Sequence, residues 1–235
     1  MTSILALDTA TPACSAALFR DGKVLSRYEL LPQSHTRLLL PMVDALLVES
    51  AVSLQQLDAI TFTHGPGSFT GIRIGFSVVQ GLAMGAGLPV IPVSTLRLLA
   101  ETARTELSLT LGQHLFAALD ARMGDLYWAH FRVADDQVEE IAGDQLSPLV
   151  SVLEDMAPEN FAGAVGVGDG WLQLQDQESK PDSLYTEIYP KAESLLPIAL
   201  SEIQAGNVRD VREIQPLYLR EKVSWKKREW LRPRA

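Results

Sequence analysis

The sequence has one cysteine, Cys14, so no disulfide can form within the chain, which fits a reducing compartment. No apolar run reaches the roughly 18 residues needed to cross a bilayer. The first residues, Met1–Asp8, carry no basic leader and read at once as a strand, so neither a signal peptide nor a membrane partner is expected, and the chain is assigned to the cytoplasm. Basic charge is scarce. Twenty Lys and Arg face 29 Asp and Glu, for a net charge of −9. An acidic body is a poor autonomous binder of nucleic acid. The four histidines, His35, His64, His114 and His130, are never three to five residues apart, and no HExxH run occurs. No helical metal pair is therefore expected. No GxSxG elbow is present, and Cys14 sits in an apolar stretch that reads as core. No catalytic residue and no metal site are assigned.

What the chain does have is apolar material, 47% of 235 residues, enough for one large domain or two small ones. Its pattern is strand-rich at the start. Ser3–Asp8, Cys14–Arg20 and Val24–Leu30 read as three strands, the last two joined by the hairpin signal Asp21-Gly22. A helix capped by Ser34 is predicted over about Thr36–Glu49, apolar nearly all round and so expected to bury two sides. Strand Leu57–Thr63, helix Phe69 to about Gly87, strand Leu88–Val93 and a helix from Ser94 to about Thr105 follow. After a loop near Ser108–Gly112 the pattern restarts. Strands His114–Asp120, Leu126–Val133 and Gln137–Ala142 precede a helix at Ser147–Met156, a strand at Phe161–Gly168 and a helix from about Lys191 to Ala205. Gln215–Leu219 reads as a last strand or turn docking on the body.

Two copies of β-β-β-α-β-α predict an α/β fold of two similar lobes, each a mixed sheet, as in the actin-like (ribonuclease H-like) superfamily. The lobes are assigned to residues 1–106 and 107–223, with a basic tail at 224–235. The last sixteen residues, Arg220–Ala235, carry +5, which leaves −14 on the 219 before them.

The densest motif is His64-Gly-Pro-Gly-Ser-Phe-Thr-Gly-Ile-Arg-Ile-Gly75, a strand–loop–helix junction. Glycines permit positive φ and close backbone approach, and free amides at a helix start favour an anion. Gly65, Gly67 and Ser68 are thus candidate phosphate contacts, together with Asp8, Thr9 and Thr11 after the first strand. The other reading is a tight turn whose glycines admit close helix packing. No Gly-Lys-Ser/Thr follows, so this is not a Walker A loop, nor does GxGxxG stand in its dinucleotide setting. The helix after the loop carries Gly71, Gly75, Gly81 and Gly85 at a cost of roughly 1 kcal/mol each against alanine, which suggests a compensating packing gain. With the all-round apolar helix before it, this predicts a helical protein–protein interface at Leu38, Leu39, Met42, Ile72, Arg73, Gly75 and Val79. Arg122, at a hairpin tip, is a further contact candidate.

HGPGSFTGIRIG closely resembles the signature of the bacterial TsaB proteins, also called YeaZ. ILALDTAT near the start, Ser34-His35-Thr36-Arg37-Leu38-Leu39 with Pro41-Met42, DARMGDLYW, and Pro216-Leu217-Tyr218-Leu219-Arg220 resemble that family too, in order along nearly the whole chain. The resemblance implies an actin-like two-lobed fold and a part in making threonylcarbamoyladenosine beside the anticodon of tRNAs that read codons beginning with adenine. It implies a scaffold rather than the transferase. The paralogue TsaD holds a metal through a histidine pair and transfers the group, the ATPase TsaE joins the two, and another enzyme makes the adenylate. The expected partners are therefore a TsaD-type paralogue, bound through the helices flanking the Gly-rich loop, a TsaE-type ATPase, a second copy of the chain when alone, and tRNA only within the complex. No intrinsic cofactor is implied, and ATP belongs to the assembly. Four residues after His35 stands Leu39, so the transferase's histidine spacing is missing here. The family's older label, glycoprotease, calls for a catalytic site the sequence does not display. The competing expectation is a nucleotide-dependent enzyme, a small-molecule kinase or ATPase, built on Asp8, Thr9 and the Gly-rich loop. Lys226, Lys227 and Arg228 in the tail, beside Trp225 and Trp230, are candidate tRNA contacts.

Overall fold

The computed structural model describes residues 2–220. Two five-stranded mixed sheets dominate it, and both have the same connectivity. In the first, β1 (Ser3–Asp8), β2 (Ala13–Arg20) and β3 (Lys23–Leu30) form an antiparallel meander. β4 (Ala59–Gly65) and β5 (Val90–Ser94) add in parallel on the other side of β1, giving the order β3-β2-β1-β4-β5. In the second sheet β6 (His114–Asp120), β7 (Asp125–Val133) and β8 (Val138–Pro148) repeat the meander. The short β9 (Val165–Val167) and β10 (Ser183–Tyr185) lie parallel beside β6. These are the two similar α/β lobes expected from the sequence.

Strand β1 is buried along its whole length, and period-2 alternation divides it between two cores. Leu5 and Leu7 face α1 (His35–Glu49) and α2 (Phe69–Ala86), packing with Leu39, Met42, Val43, Leu46, Phe76 and Val79. Ile4 and Ala6 face the other way, onto Leu195, Ile198 and Ala199 of α5 (Leu195–Gln204). The second sheet is covered in the same manner. Leu115 and Ala117 of β6 meet Leu96, Leu99 and Ala103 of α3 (Thr95–Glu106). Phe116 and Ala118 meet Trp128, Phe161 and Trp171 on the opposite face. Each fully buried large aliphatic side chain contributes roughly 1.5–3 kcal/mol.

The helices cross the division at residue 106. α3, from the first half, packs Leu96, Leu99 and Ala103 on the second sheet and Leu98 on the first, and α5, from the second half, packs on the first.

Several elements differ from the sequence reading. Of the helix expected at Ser147–Met156, the first two residues end β8, a turn follows, and only one turn, α4 (Val152–Asp155), is helical. Trp128 holds that region extended by donating its indole N–H to Ser147 Oγ (3.0 Å). The strand expected at Phe161–Gly168 shrinks to β9, and β10 is additional. Ser94 caps α3, accepting from the amides of Leu96 and Arg97. Ser34 makes no side-chain cap; its carbonyl accepts from Arg37 and Leu38 instead. α1 is buried on one side only, with Leu40 and Val48 exposed at 50% and 73%.

Candidate functional site

The Gly-rich junction turns its missing side chains inward. Gly67, at φ +151°, lies so close to the β1–β2 turn that a Cβ would stand 2.4 Å from Ala10 O. The same carbonyl accepts the Ser68 amide (2.7 Å), while Ser68 Oγ accepts the Gly71 amide (3.2 Å). On α2, a Cβ at Gly75 would meet Thr9 Oγ1 at 2.4 Å, and that hydroxyl donates to Gly71 O (2.8 Å). The Ser68 and Gly71 amides, which a phosphate cradle would offer, thus bind the chain itself. The glycines serve close internal packing, the second of the two sequence readings.

Asp8 and Thr9 lie behind this turn, 1% and 2% exposed. One Asp8 oxygen accepts from the Thr63 hydroxyl and the Ala10 amide; the other is buried with no hydrogen-bond partner among the described residues. Burial pushes the Asp8 carboxyl up to about 6, against the lowering effect of those hydrogen bonds.

In front lies a cleft of about 1140 Å³ between the lobes. Thr11, Gly67, Ser68 and Arg73 line one wall; Asp120, Arg122 and Asp169 line the other. Of the expected phosphate contacts, Asp8, Thr9 and Gly65 are absent from these walls. Thr11 is 4% exposed, and its hydroxyl accepts the Ala13 amide (3.3 Å). His35 donates from Nε2 to Thr11 O (2.9 Å), with Nδ1 buried and unpartnered among the described residues. Burial holds its pKa below the usual histidine range. Arg122, at φ +63°, projects from the β6–β7 hairpin and pairs with Asp120 (2.8 Å).

The expected interface residues divide. Leu39, Ile72, Gly75 and Val79 are buried within the chain, and Met42 is 8% exposed, so these five cannot form an outer contact surface. The cause is the side of each helix they occupy, which faces β1 and the Thr9 turn. Leu38 is half-buried, and Arg73 is exposed with its guanidinium 3.7 Å from the Phe69 ring centre. The outward positions are Leu40 and Val48 on α1 and Met84 on α2, each at least half exposed. Beside Met84, Gly81 and Gly85 leave open space where a Cβ would stand. Sequence reasoning assigned none of these outward side chains to the interface; the i, i+8 spacing of Leu40 and Val48 was the signal that could have found them. Lys226, Lys227 and Arg228 lie outside the described residues.

Comparison with known proteins follows this geometry along nearly the whole chain. The TsaB protein of Escherichia coli K12, named for tRNA threonylcarbamoyladenosine biosynthesis, is 39% identical over 229 residues, covering 95% of this chain and 97% of that one. The chain belongs to the TsaB family. The Haemophilus influenzae TsaB is 37% identical over 96% of both chains. A structure described as YeaZ from Pseudomonas aeruginosa superposes with a TM-score of 0.82 at 37% identity, covering 93% of this chain and all of the other. Residues 29–175 also match the family model described as TsaD, tRNA N6-adenosine threonylcarbamoyltransferase. In this TsaB-family chain His35 is bonded into the β1–β2 turn, and Leu39, four residues on, lies in the core. No described helix is long and apolar enough to cross a membrane.

Proposed function

We propose that this chain is a non-catalytic subunit of the cytoplasmic assembly that forms threonylcarbamoyladenosine next to the anticodon in tRNAs reading codons that begin with adenine. It docks and activates a TsaD-type transferase through the outer face of α1 and α2, acts with a TsaE-type ATPase, and pairs with its own copy through that face when alone. It needs no cofactor of its own, and ATP acts in the assembled complex. The observation that carries this reading is the set of large apolar side chains left exposed on the two helices, Leu40 and Val48 on α1 and Met84 on α2, with open space at Gly81 and Gly85 beside Met84 where a helix could approach closely. Met84→Asp places a charge in that contact without touching the core. The expected outcome is a Kd for the purified TsaD-type partner raised by about 100-fold, or about 2.7 kcal/mol, at an unchanged melting temperature. Unaltered affinity would refute the docking face.

The inter-lobe cleft favours a second reading, a nucleotide-dependent enzyme. ATP turnover by the isolated chain, lost in Asp8→Ala, is its signature. Asp8's place behind the cleft wall and the occupied loop amides weigh against it.

A further inference from the structure

The last described residues cross from one lobe to the other. On the first lobe, Leu217 donates its amide to His64 O (2.7 Å), and its carbonyl oxygen lies 2.5 Å from where a Cβ on Gly65 would stand. Gly65, at φ +122°, is the residue that lets this segment in. Tyr218 packs on Phe69 with ring centres 5.2 Å apart, and its hydroxyl accepts from Arg73 Nε (3.1 Å). Two residues later the contacts move to the second lobe. Arg220 Nη2 donates to the Asp125 carboxylate (2.5 Å) and to Arg122 O (3.1 Å) at the β6–β7 hairpin tip. That tip holds two successive left-handed non-glycine residues, Arg122 at φ +63° and Met123 at φ +60°. Such conformations are sparsely populated by non-glycine residues and persist where neighbours hold them. Arg220 is such a neighbour.

The two sides of the molecule are joined very differently. Away from the cleft, α3 and α5 are packed into buried apolar cores. On the cleft side, among the described residues lining it, only Leu217, Tyr218 and Arg220 form a segment hydrogen-bonded to both walls. Their bonds are partly exposed and individually weak against competing water, so the segment can let go without unfolding either core. We propose that residues 216–220 are a clasp that holds the lobes closed over the cleft, and that its release opens the cleft about the packed side.

Double electron–electron resonance tests this directly on the full chain. Leu31→Cys and Val150→Cys put spin labels at exposed sites on opposite rims. Leu31 adjoins Pro32 and Gln33 of one wall, and Leu149, next to Val150, donates to Gly124 O at the hairpin tip. Cys14 is buried and stays unlabelled. The intact clasp gives one narrow distance distribution. In Tyr218→Ala with Arg220→Ala, still folded by circular dichroism, the distribution shifts to longer distances and broadens. An unshifted distribution overturns the proposal. If that double variant does not fold, Arg73→Ala, which alters an exposed side chain outside the core, carries the same test. A shift in the same direction supports the clasp, and an unchanged distribution refutes it.

Discussion

Asp8 and Gly75 show how differently two neighbours of one turn hold the fold. Asp8 is a buried carboxyl whose ionisation the protein opposes. Its folded pKa is about 6 against an ordinary 3.8. The folded chain therefore binds more protons than the unfolded chain between these values, and stability falls as pH rises through that window. The cost above pH 6 is on the order of 2–3 kcal/mol. Asp8→Asn keeps the acceptor for Thr63 and removes the charge. We expect its melting temperature to exceed the parent's at pH 8 and the two to converge towards pH 4, as read by thermal denaturation across pH. Gly75 works through space alone. Gly75→Ala drives a methyl against Thr9 Oγ1 and should cost about 1–3 kcal/mol. Gly81→Ala meets open space in the middle of the same helix and should gain up to about 1 kcal/mol. Opposite shifts in melting temperature, a few degrees each, are the expected result.

At the scale of elements, α2 was legible almost to the residue, because Ser68 starts it and Gly87, at φ +68°, ends it in a left-handed cap. The first meander was legible from Asp21-Gly22 and from alternation. The orientation of α1 was not. Its apolar residues occupy both sides, and pattern cannot tell a side covered by its own sheet from one left for another chain. The direction of the α2 glycines was hidden for a related reason. What fills the space beside Gly75 is Thr9, 66 positions away, and no local signal points to it. Leu39, Met42, Ile72, Gly75 and Val79 lie in the core, and the proposed docking face rests instead on Leu40, Val48 and Met84. β10 escaped notice because a three-residue strand lacks periodicity.

For the whole molecule, the strong charge asymmetry remains the unexplained part of the sequence. A body carrying −14 ends in a segment carrying +5. We expect truncation after Val223 to weaken tRNA binding by the assembled complex and to flatten its salt dependence, by roughly one slope unit for each phosphate the tail neutralises. Equal affinity and slope, measured by filter binding across a salt series, would remove tRNA contact from the tail. The repeated lobe plan was readable as an order of elements, whereas the packing of α3 and α5 across the lobes was not, since an apolar helix face carries no mark of which sheet it will cover. That packing sets a timetable for synthesis. The first sheet is complete once Ser94 has been made, yet the face carrying Ile4, Ala6, Ile91 and Val93 has only Leu98 of α3 against it until α5 follows about a hundred residues later. At about 5–20 residues per second, a nascent chain carries that largely bare apolar face for roughly 5–20 s. A nascent chain halted before Leu195 is therefore expected to aggregate more readily than the finished protein, which buries this face.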